Sequence, residues 1–304
     1  MENKLPLVSI ITPSYNQSEF IENTIRSAKN KNYPNIEHII IDGGSQDETI
    51  SLLKKYEKTY NMKWISESDS GQSDAINKGF KLAQGEIIGW VNSDDVYVFR
   101  DTISTVVNVL IQNPDINIVY GDCIIIDERN VIKRIYNSPD WNYNYLLKGF
   151  SYIPQPATFF RKKVIFNSEL NTTLNFAMDI DLWLRLGKNY PFYHINKILA
   201  GDRFHAKAKR FCKENITKFQ QESKAIRKAQ GVDINIDYWI KHYLIILYIS
   251  TFRRLIGIKK ILKLEYDEDT FAVELKTENK ILRIWHQLFP HLEITSLISI
   301  MREK

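Results

Sequence analysis

The chain has 304 residues, of which 44% are hydrophobic and 25% charged, with a formal net charge of +5. Those proportions exclude a disordered or low-complexity chain, and the length suits one large α/β domain with an appendage. The two cysteines, Cys123 and Cys212, lie far apart, which excludes a disulfide framework or a cysteine zinc site and fits a reducing compartment.

Met1 to Pro6 carries Glu2 and Lys4 and no apolar signal region, so a cytoplasmic location is expected. Leu7-Val8-Ser9-Ile10-Ile11 is a short β-branched run ending at Pro13, the pattern of a buried parallel strand. Ser18 is placed to cap a helix whose apolar positions are Ile21, Ile25 and Ala28. A second strand spans Ile36 to Ile41. Asp42-Gly43-Gly44 then turns into Ser45-Gln46-Asp47-Glu48, a capping-box pattern that opens a helix through about Tyr60. A strand at Lys63–Ser66, a helix at Ser73–Leu82 and a strand at Ile87–Val91 continue the alternation, which predicts right-handed crossovers onto a mostly parallel sheet.

Beyond residue 125 the alternation loosens. Ile118–Asp122, Cys123–Asp127, Val131–Tyr136 and Ala157–Arg161 read as short strands, Asp179–Lys188 as a helix and Arg203–His205 as a strand end. Helical patterns follow at Cys212–Gln230, Asp237–Ile256 and Glu278–Leu288, the last stopped before Pro290. Residues 201–304 hold 20 Lys and Arg against 13 Asp and Glu, and residues 1–200 hold 21 against 23. A basic C-terminal third either meets an anionic surface such as lipid headgroups or is a solvated helix face. The segment Tyr238–Lys260 either lies in a membrane interface, near a lipid-linked acceptor, or packs on protein. The longest apolar run, Tyr243 to Phe252, is about half of what a bilayer-spanning helix needs.

Ligands of parallel α/β sheets sit beyond the carboxyl ends of the strands. That rule selects Thr12 to Asn16, Asp42 to Ser45, Glu67 to Asp69 and Asn92 to Asp95. No Gly-x-Gly-x-x-Gly or Walker loop follows any strand, which counts against dinucleotide and NTPase readings. Adjacent carboxylates such as Asp94 and Asp95 repel unless a cation or donors offset them, and Mg²⁺ or Mn²⁺ with oxygen ligands is the natural match.

Five segments in order carry a resemblance: Val8 to Asn16, Ile41 to Thr49, Asp69 to Gly79, Asn92 to Asp95 and Ala177 to Leu186. Together they are similar to the family-2 glycosyltransferases over roughly residues 5–210. The resemblance implies the GT-A fold: residues 1–210 form the catalytic domain, with a nucleotide-binding half to about 125 and an acceptor half to 210. Residues 211–304 are expected to form a helical C-terminal region. It implies an inverting transfer of a sugar from a nucleotide-sugar, a UDP-sugar first, to a glycan or lipid-linked acceptor in polysaccharide, O-antigen or capsule assembly. A divalent metal, Mn²⁺ or Mg²⁺, assists, and no nucleic-acid partner is expected.

By the same resemblance, Thr12, Pro13 and Tyr15 line the nucleotide pocket and Asp42 accepts a hydrogen bond from the base. Asp74 and Asn77 contact the nucleotide, Asp94 touches ribose or sugar, and Asp95 coordinates the metal. Asp179 is the general base. Gln155 reaches a sugar hydroxyl, His205 is a late metal or diphosphate ligand, and Lys207, Lys209 and Arg210 hold the diphosphate. Each has a structural alternative: a turn-forming Asp42, a capping Asp74 or Asp179, a solvated Asn77, a loop packed around Gln155, a structural His205. Ser93 stands where the family often has the first carboxylate of Asp-x-Asp, and Met178 where it has Glu. Asp181 lies four residues before Arg185 and is read as its ion-pair partner. Two competing readings are a nucleotide-sugar-binding protein without catalysis and a nucleotidyltransferase. The missing Gly-rich phosphate loop counts against the second.

Overall fold

A computed structural model describes residues 5–149, 152–165, 168–209, 213–232, 262–266 and 273–277. The apolar runs build the first half of a sheet. Strand β1 (Val8–Ser14) pairs in parallel with β2 (Ile36–Asp42) on one side and, at its other edge, β4 (Ile87–Trp90), while β2 pairs in parallel with β3 (Met62–Ser66). Strands β1 and β4 are buried along their whole length, as in a sheet with helices on both faces, while β3 at the edge is largely exposed. Helices α1 (Ile21–Lys29), α2 (Thr49–Tyr56) and α3 (Gln72–Leu82) cross between the strands. Helix α3 lies so close to β1 that a Cβ on Gly79 would overlap the Ile11 side chain.

Two expected helix starts differ. Helix α1 begins at Ile21 with no side-chain cap, and Ser18 instead donates its backbone N–H to Asp47 Oδ2 at 3.0 Å. Helix α2 begins at Thr49 rather than behind Ser45, because the Ser45 hydroxyl donates to Asp42 Oδ1 at 2.5 Å and accepts from the Asn16 N–H at 2.7 Å. Side chains of the supposed capping box tie two loops together and are unavailable to the helix.

The second half is mixed. After β5 (Val96–Tyr97) and α4 (Thr102–Gln112) comes β6 (Ile118–Asp127), one ten-residue strand where two short ones were expected. It is followed by β7 (Ile132–Tyr136), α5 (Tyr143–Leu147), β8 (Thr158–Arg161), α6 (Lys162–Ile165), α7 (Met178–Gly187) and β9 (Phe192–Phe204). The strand order is β3-β2-β1-β4-β8-β6-β9-β5, with β7 also on β6. Strand β8 is antiparallel to both β4 and β6, and β9 runs parallel to β6. The parallel expectation therefore holds for the first half, and the whole sheet is mixed. The 13 residues of β9 are legible in the sequence only as a strand end at Arg203. Register shifts opposite Gly121–Cys123 break their period-two pattern.

Helix α8 (Lys213–Ala229) joins the same body. Ile226 is buried in the core cluster that contains Trp183 and Phe160, and Phe219 packs against it. Helix α8 therefore packs on the body formed by the residues before 210. Among the described residues beyond α8, β10 (Leu262–Tyr266) and β11 (Val273–Thr277) form an antiparallel pair, which corrects the all-helical reading of residues 211–304. Asp237–Ile256, Tyr238–Lys260 and Glu278–Leu288 lie outside the described residues, as does Arg210. No helix among the described residues is long and apolar enough to cross a membrane.

Candidate active site

The carboxyl ends of β1 to β4 open on a cavity of about 780 Å³. Pro13, Tyr15, Gly43, Asp69, Asp94 and Asp95 line it from the strand side. The Gln155 loop, the start of α7 with Asp179, the end of β9 with Asp202 and Arg203, and α8 close the other side. Of the residues singled out in the sequence, Pro13, Tyr15, Asp94, Asp95, Gln155 and Asp179 meet here, together with Lys207 and Lys209.

Four do not. Thr12 is buried beneath the loop, its Oγ1 2.9 Å from His38 Nε2, and His38 Nδ1 lies 2.6 Å from the Tyr60 hydroxyl. Burial holds His38 down to about 3, hence neutral. Asp42 is also buried: Oδ2 accepts from the N–H groups of Gly44 (3.1 Å) and Ser45 (2.8 Å) and from the Ser66 hydroxyl (2.7 Å), and Oδ1 from the Ser45 hydroxyl. These four bonds make Asp42 shape the turn. Asp74 accepts from the Ser70 N–H at 3.1 Å and pairs with Lys78 at 3.5 Å. Asn77 is buried and clasps Leu170 through its N–H and C=O, at 2.8 and 2.9 Å. Asn77 is thus buried where a solvated helix face was the alternative, and all four side chains are engaged within the protein.

The carboxylate that does reach the cavity beside the base of that loop is Asp69. A Cβ on Gly43 would sit 2.9 Å from its Oδ2, so a larger residue there would displace the Asp69 side chain from its present position. In the sequence Asp69 only opens a motif, and nothing in its spacing marks it over Asp42.

The acidic pair divides into two environments. Asp95 is buried, with Oδ1 accepting from the Arg203 N–H (2.9 Å) and Oδ2 from Asn92 Nδ2 (3.1 Å). Burial, and then the charges of Asp94 and Asp202, push its carboxyl well above the usual carboxylate range. Asp94 is partly exposed, and its Oδ2 lies 2.9 Å from His205 Nε2. His205 is buried behind it, its ring 4.5 Å from that of Phe20.

Asn92 is the hub between walls. It donates to Asp95 and to Gln155 Oε1 (2.9 Å), and accepts from Gln72 Nε2 (2.9 Å) and Trp90 Nε1 (3.0 Å). Gln155 also donates to the Trp90 carbonyl at 2.5 Å, so its amide braces the β4 end. Arg203, not marked by any sequence pattern, donates through Nε to the Asp94 carbonyl at 2.8 Å and through Nη1 to the Asp127 carbonyl and Asn130 Oδ1, at 3.0 and 2.6 Å. Its Nη2 is buried with no hydrogen-bond partner among the described residues. Lys209 reaches Gln72 and Lys207 reaches Glu19, each at 3.2 Å.

On the far wall, Asp179 is the second residue of α7, and its Oδ1 accepts from the Ile180 N–H at 2.8 Å. Met178 packs in the core and receives the Ser73 hydroxyl at its sulfur, 3.1 Å away. Asp181 is bound to Arg185 at 2.9 Å, as its spacing indicates.

Residues 9–171 match the model of glycosyl transferase family 2, more than half of the sequence. The chain belongs to that family. As a family-2 transferase it is 32% identical over 217 residues to an uncharacterized glycosyltransferase of Rickettsia felis, covering 66% of this chain and 35% of the relative. It is 31% identical over 228 residues to chondroitin synthase of Escherichia coli, covering 72% of this chain and 33% of the relative. The chain thus spans about a third of the length of these relatives. Among solved structures, it resembles S. aureus TarS 1-349 in complex with UDP-GlcNAc, with TM-score 0.56, 18% identity and coverage of 66% and 60%. It also resembles the mannosyltransferase PcManGT of Pyrobaculum calidifontis in complex with GDP-Man and Mn2+, with TM-score 0.58, 18% identity and coverage of 78% and 68%. At that identity the likeness is one of fold, and the fold is GT-A.

Among the described residues no group of three or more His, Cys, Asp and Glu has the arrangement of a complete metal site. The pair Asp94 and His205 nevertheless fits part of one: a carboxylate oxygen and an imidazole nitrogen 2.9 Å apart, amid the further carboxylates Asp95 and Asp202. Mg²⁺-type ions are commonly held by one or two protein ligands plus phosphate and water.

Proposed function

We propose that this family-2 transferase inverts configuration as it moves a sugar from a nucleotide-sugar, a UDP-sugar first, to an acceptor hydroxyl in polysaccharide or glycolipid assembly. One observation carries the reading: Asp94 at the end of β4 and Asp179 at the start of α7 line the same cavity. A donor lying along the strand ends has its diphosphate near Asp94 and its anomeric carbon toward α7. UDP-GlcNAc bound to one fold neighbour and the polysaccharide synthase among the relatives support this donor and acceptor class.

Asp69 is suited to the base-recognition role that the resemblance assigns to Asp42, and Tyr15, 60% exposed, to stacking on the base. Asp94 and His205 would hold a divalent cation, while Asp95 keeps the Asn92 hub in place. When bound, such an ion stabilises charge that grows on a leaving diphosphate. The buried Arg203 Nη2, Lys207 and Lys209 supply positive charge to the same group. Asp179 takes the proton of the acceptor hydroxyl as that oxygen attacks the anomeric carbon, opposite the leaving phosphate, so the C–O bond to phosphate breaks while the new one forms.

The test is nucleotide release from a panel of UDP- and GDP-sugars with Mn2+. Asp179→Asn is expected to lower kcat by roughly 10²- to 10⁴-fold with donor binding unchanged. Full turnover in that variant removes Asp179 from the reaction. Met178, whose thioether stands where the family has a carboxylate and is engaged by Ser73, and Ser93 favour the alternative of a catalytically inactive binding protein. Donor binding without turnover in any acceptor mixture would favour that reading.

A further inference from the structure

Helix α7 has little local capping: its N-cap residue, Ala177, offers no side-chain acceptor, and Asp179 Oδ1 takes only the Ile180 N–H. Open N–H groups at a helix start need an acceptor. For Ala177, and for the two residues before it, the acceptor comes from a different helix. Glu222, at the middle of α8, accepts from the Asn175 N–H through Oε1 (3.1 Å) and from the Phe176 and Ala177 N–H groups through Oε2 (2.9 Å each). One carboxylate thereby fixes the three residues that precede Met178 and Asp179, at the positive end of the helix dipole, where an anion is favoured.

The helix that bears Glu222 is itself anchored. Ile226, one turn later, is buried in the Trp183 cluster, and Phe219, one turn earlier, packs on that cluster and lines the cavity. Arg227 is buried and donates through Nε and Nη2 to the Leu146 carbonyl at 3.3 and 3.2 Å. Residues 219, 222, 226 and 227 share one helical face, so Glu222 projects from a surface held by packing on both sides.

We propose that Glu222 is a positioning residue of the reaction, the remote cap that holds the loop Asn175–Ala177 and through it the Asp179 carboxylate at the cavity. Helix α8 is then a structural part of the catalytic unit, although it lies beyond the family-model match, which ends at residue 171. The inference rests on the reading of Asp179 as the base.

The test compares Glu222→Ala, Glu222→Gln and Asp179→Asn in the full chain. Hydrogen exchange at the amides of residues 175–177 needs no substrate: it is expected to quicken at least about tenfold in E222A while the amides of β1 to β4 keep their protection. Gln retains one acceptor oxygen and gives an intermediate result. Turnover of the nucleotide-sugar selected by the panel is expected to fall roughly 10- to 100-fold in E222A, since small misplacement of a reacting group costs that much. The Kd for UDP with Mn2+, read by calorimetry, stays within about threefold. Unchanged exchange and turnover in E222A overturn the proposal. So does loss of UDP binding in step with turnover, which would make Glu222 a general folding residue. If D179N keeps full turnover, the base reading falls instead, and the exchange at residues 175–177 still decides whether Glu222 holds the loop.

Discussion

His38 shows how a single buried side chain sets the chemistry under the nucleotide loop. Its ring bridges Thr12 and Tyr60, and desolvation holds it down to about 3 against an ordinary 6.5. Between those values the unfolded chain takes up a proton that the folded chain refuses, so stability falls as pH drops below about 6.5. At ~1.4 kcal/mol for each tenfold rise in proton activity below that point, this one group costs about 2 kcal/mol between pH 7 and pH 5. Urea unfolding at both pH values is expected to show a shallower acid loss in His38→Asn than in the parent chain; identical slopes would show that His38 is protonated in the folded state. The same residue scale shows what Asp42 does within its turn. Asp-Gly-Gly after a strand fits a ligand contact and a turn equally well, and only the positions of Ser45 and Ser66 show that its carboxylate holds the turn together.

Among the elements, α3 carries the tightest constraint. Alanine in place of a mid-helix glycine ordinarily gains about 0.5–1 kcal/mol. At Gly79 the added Cβ overlaps buried Ile11 of β1, so Gly79→Ala is expected to destabilise by about 1–3 kcal/mol. A lower urea midpoint with an unchanged slope checks this, and a gain in stability would mean that α3 stands off the sheet. Element types in the first half are legible because the central strands β1 and β4 are short buried runs and each helix has one apolar face. Strand β9 is not, because its register shifts beside β6 erase the period that marks a strand. The starts of α1 and α2 fall elsewhere than expected for a related reason. Ser18, Ser45 and Asp47 carry good capping chemistry, and loop-to-loop hydrogen bonds take it up first.

For the whole molecule, the cavity is a single receptor built from strand ends, the Gln155 loop, α7 and α8, so a donor that fills it stabilises the folded state. At about 100 times its Kd a nucleotide-sugar adds ~2.7 kcal/mol, a rise in Tm of roughly 5 °C or more for a domain of this size. The rise is expected to shrink with chelator and in His205→Ala, as read by a thermal shift panel. Absence of any rise across UDP- and GDP-sugars with Mn2+ would remove the donor-site assignment. By itself the sequence determined the α/β alternation, the family's motifs in order, and the end of the sheet where the chemistry gathers, since strand polarity follows from short-range pattern alone. Only the tertiary structure decided which polar residues face the cavity. It turned Thr12, Asp42, Asp74 and Asn77 into supports, brought Asp94 to His205 across 111 positions of chain and Glu222 to Ala177 across 45, and buried Arg203 beneath the acidic pair. Those contacts are hydrogen bonds between side chains and groups distant in the chain, and local periodicity carries no record of them.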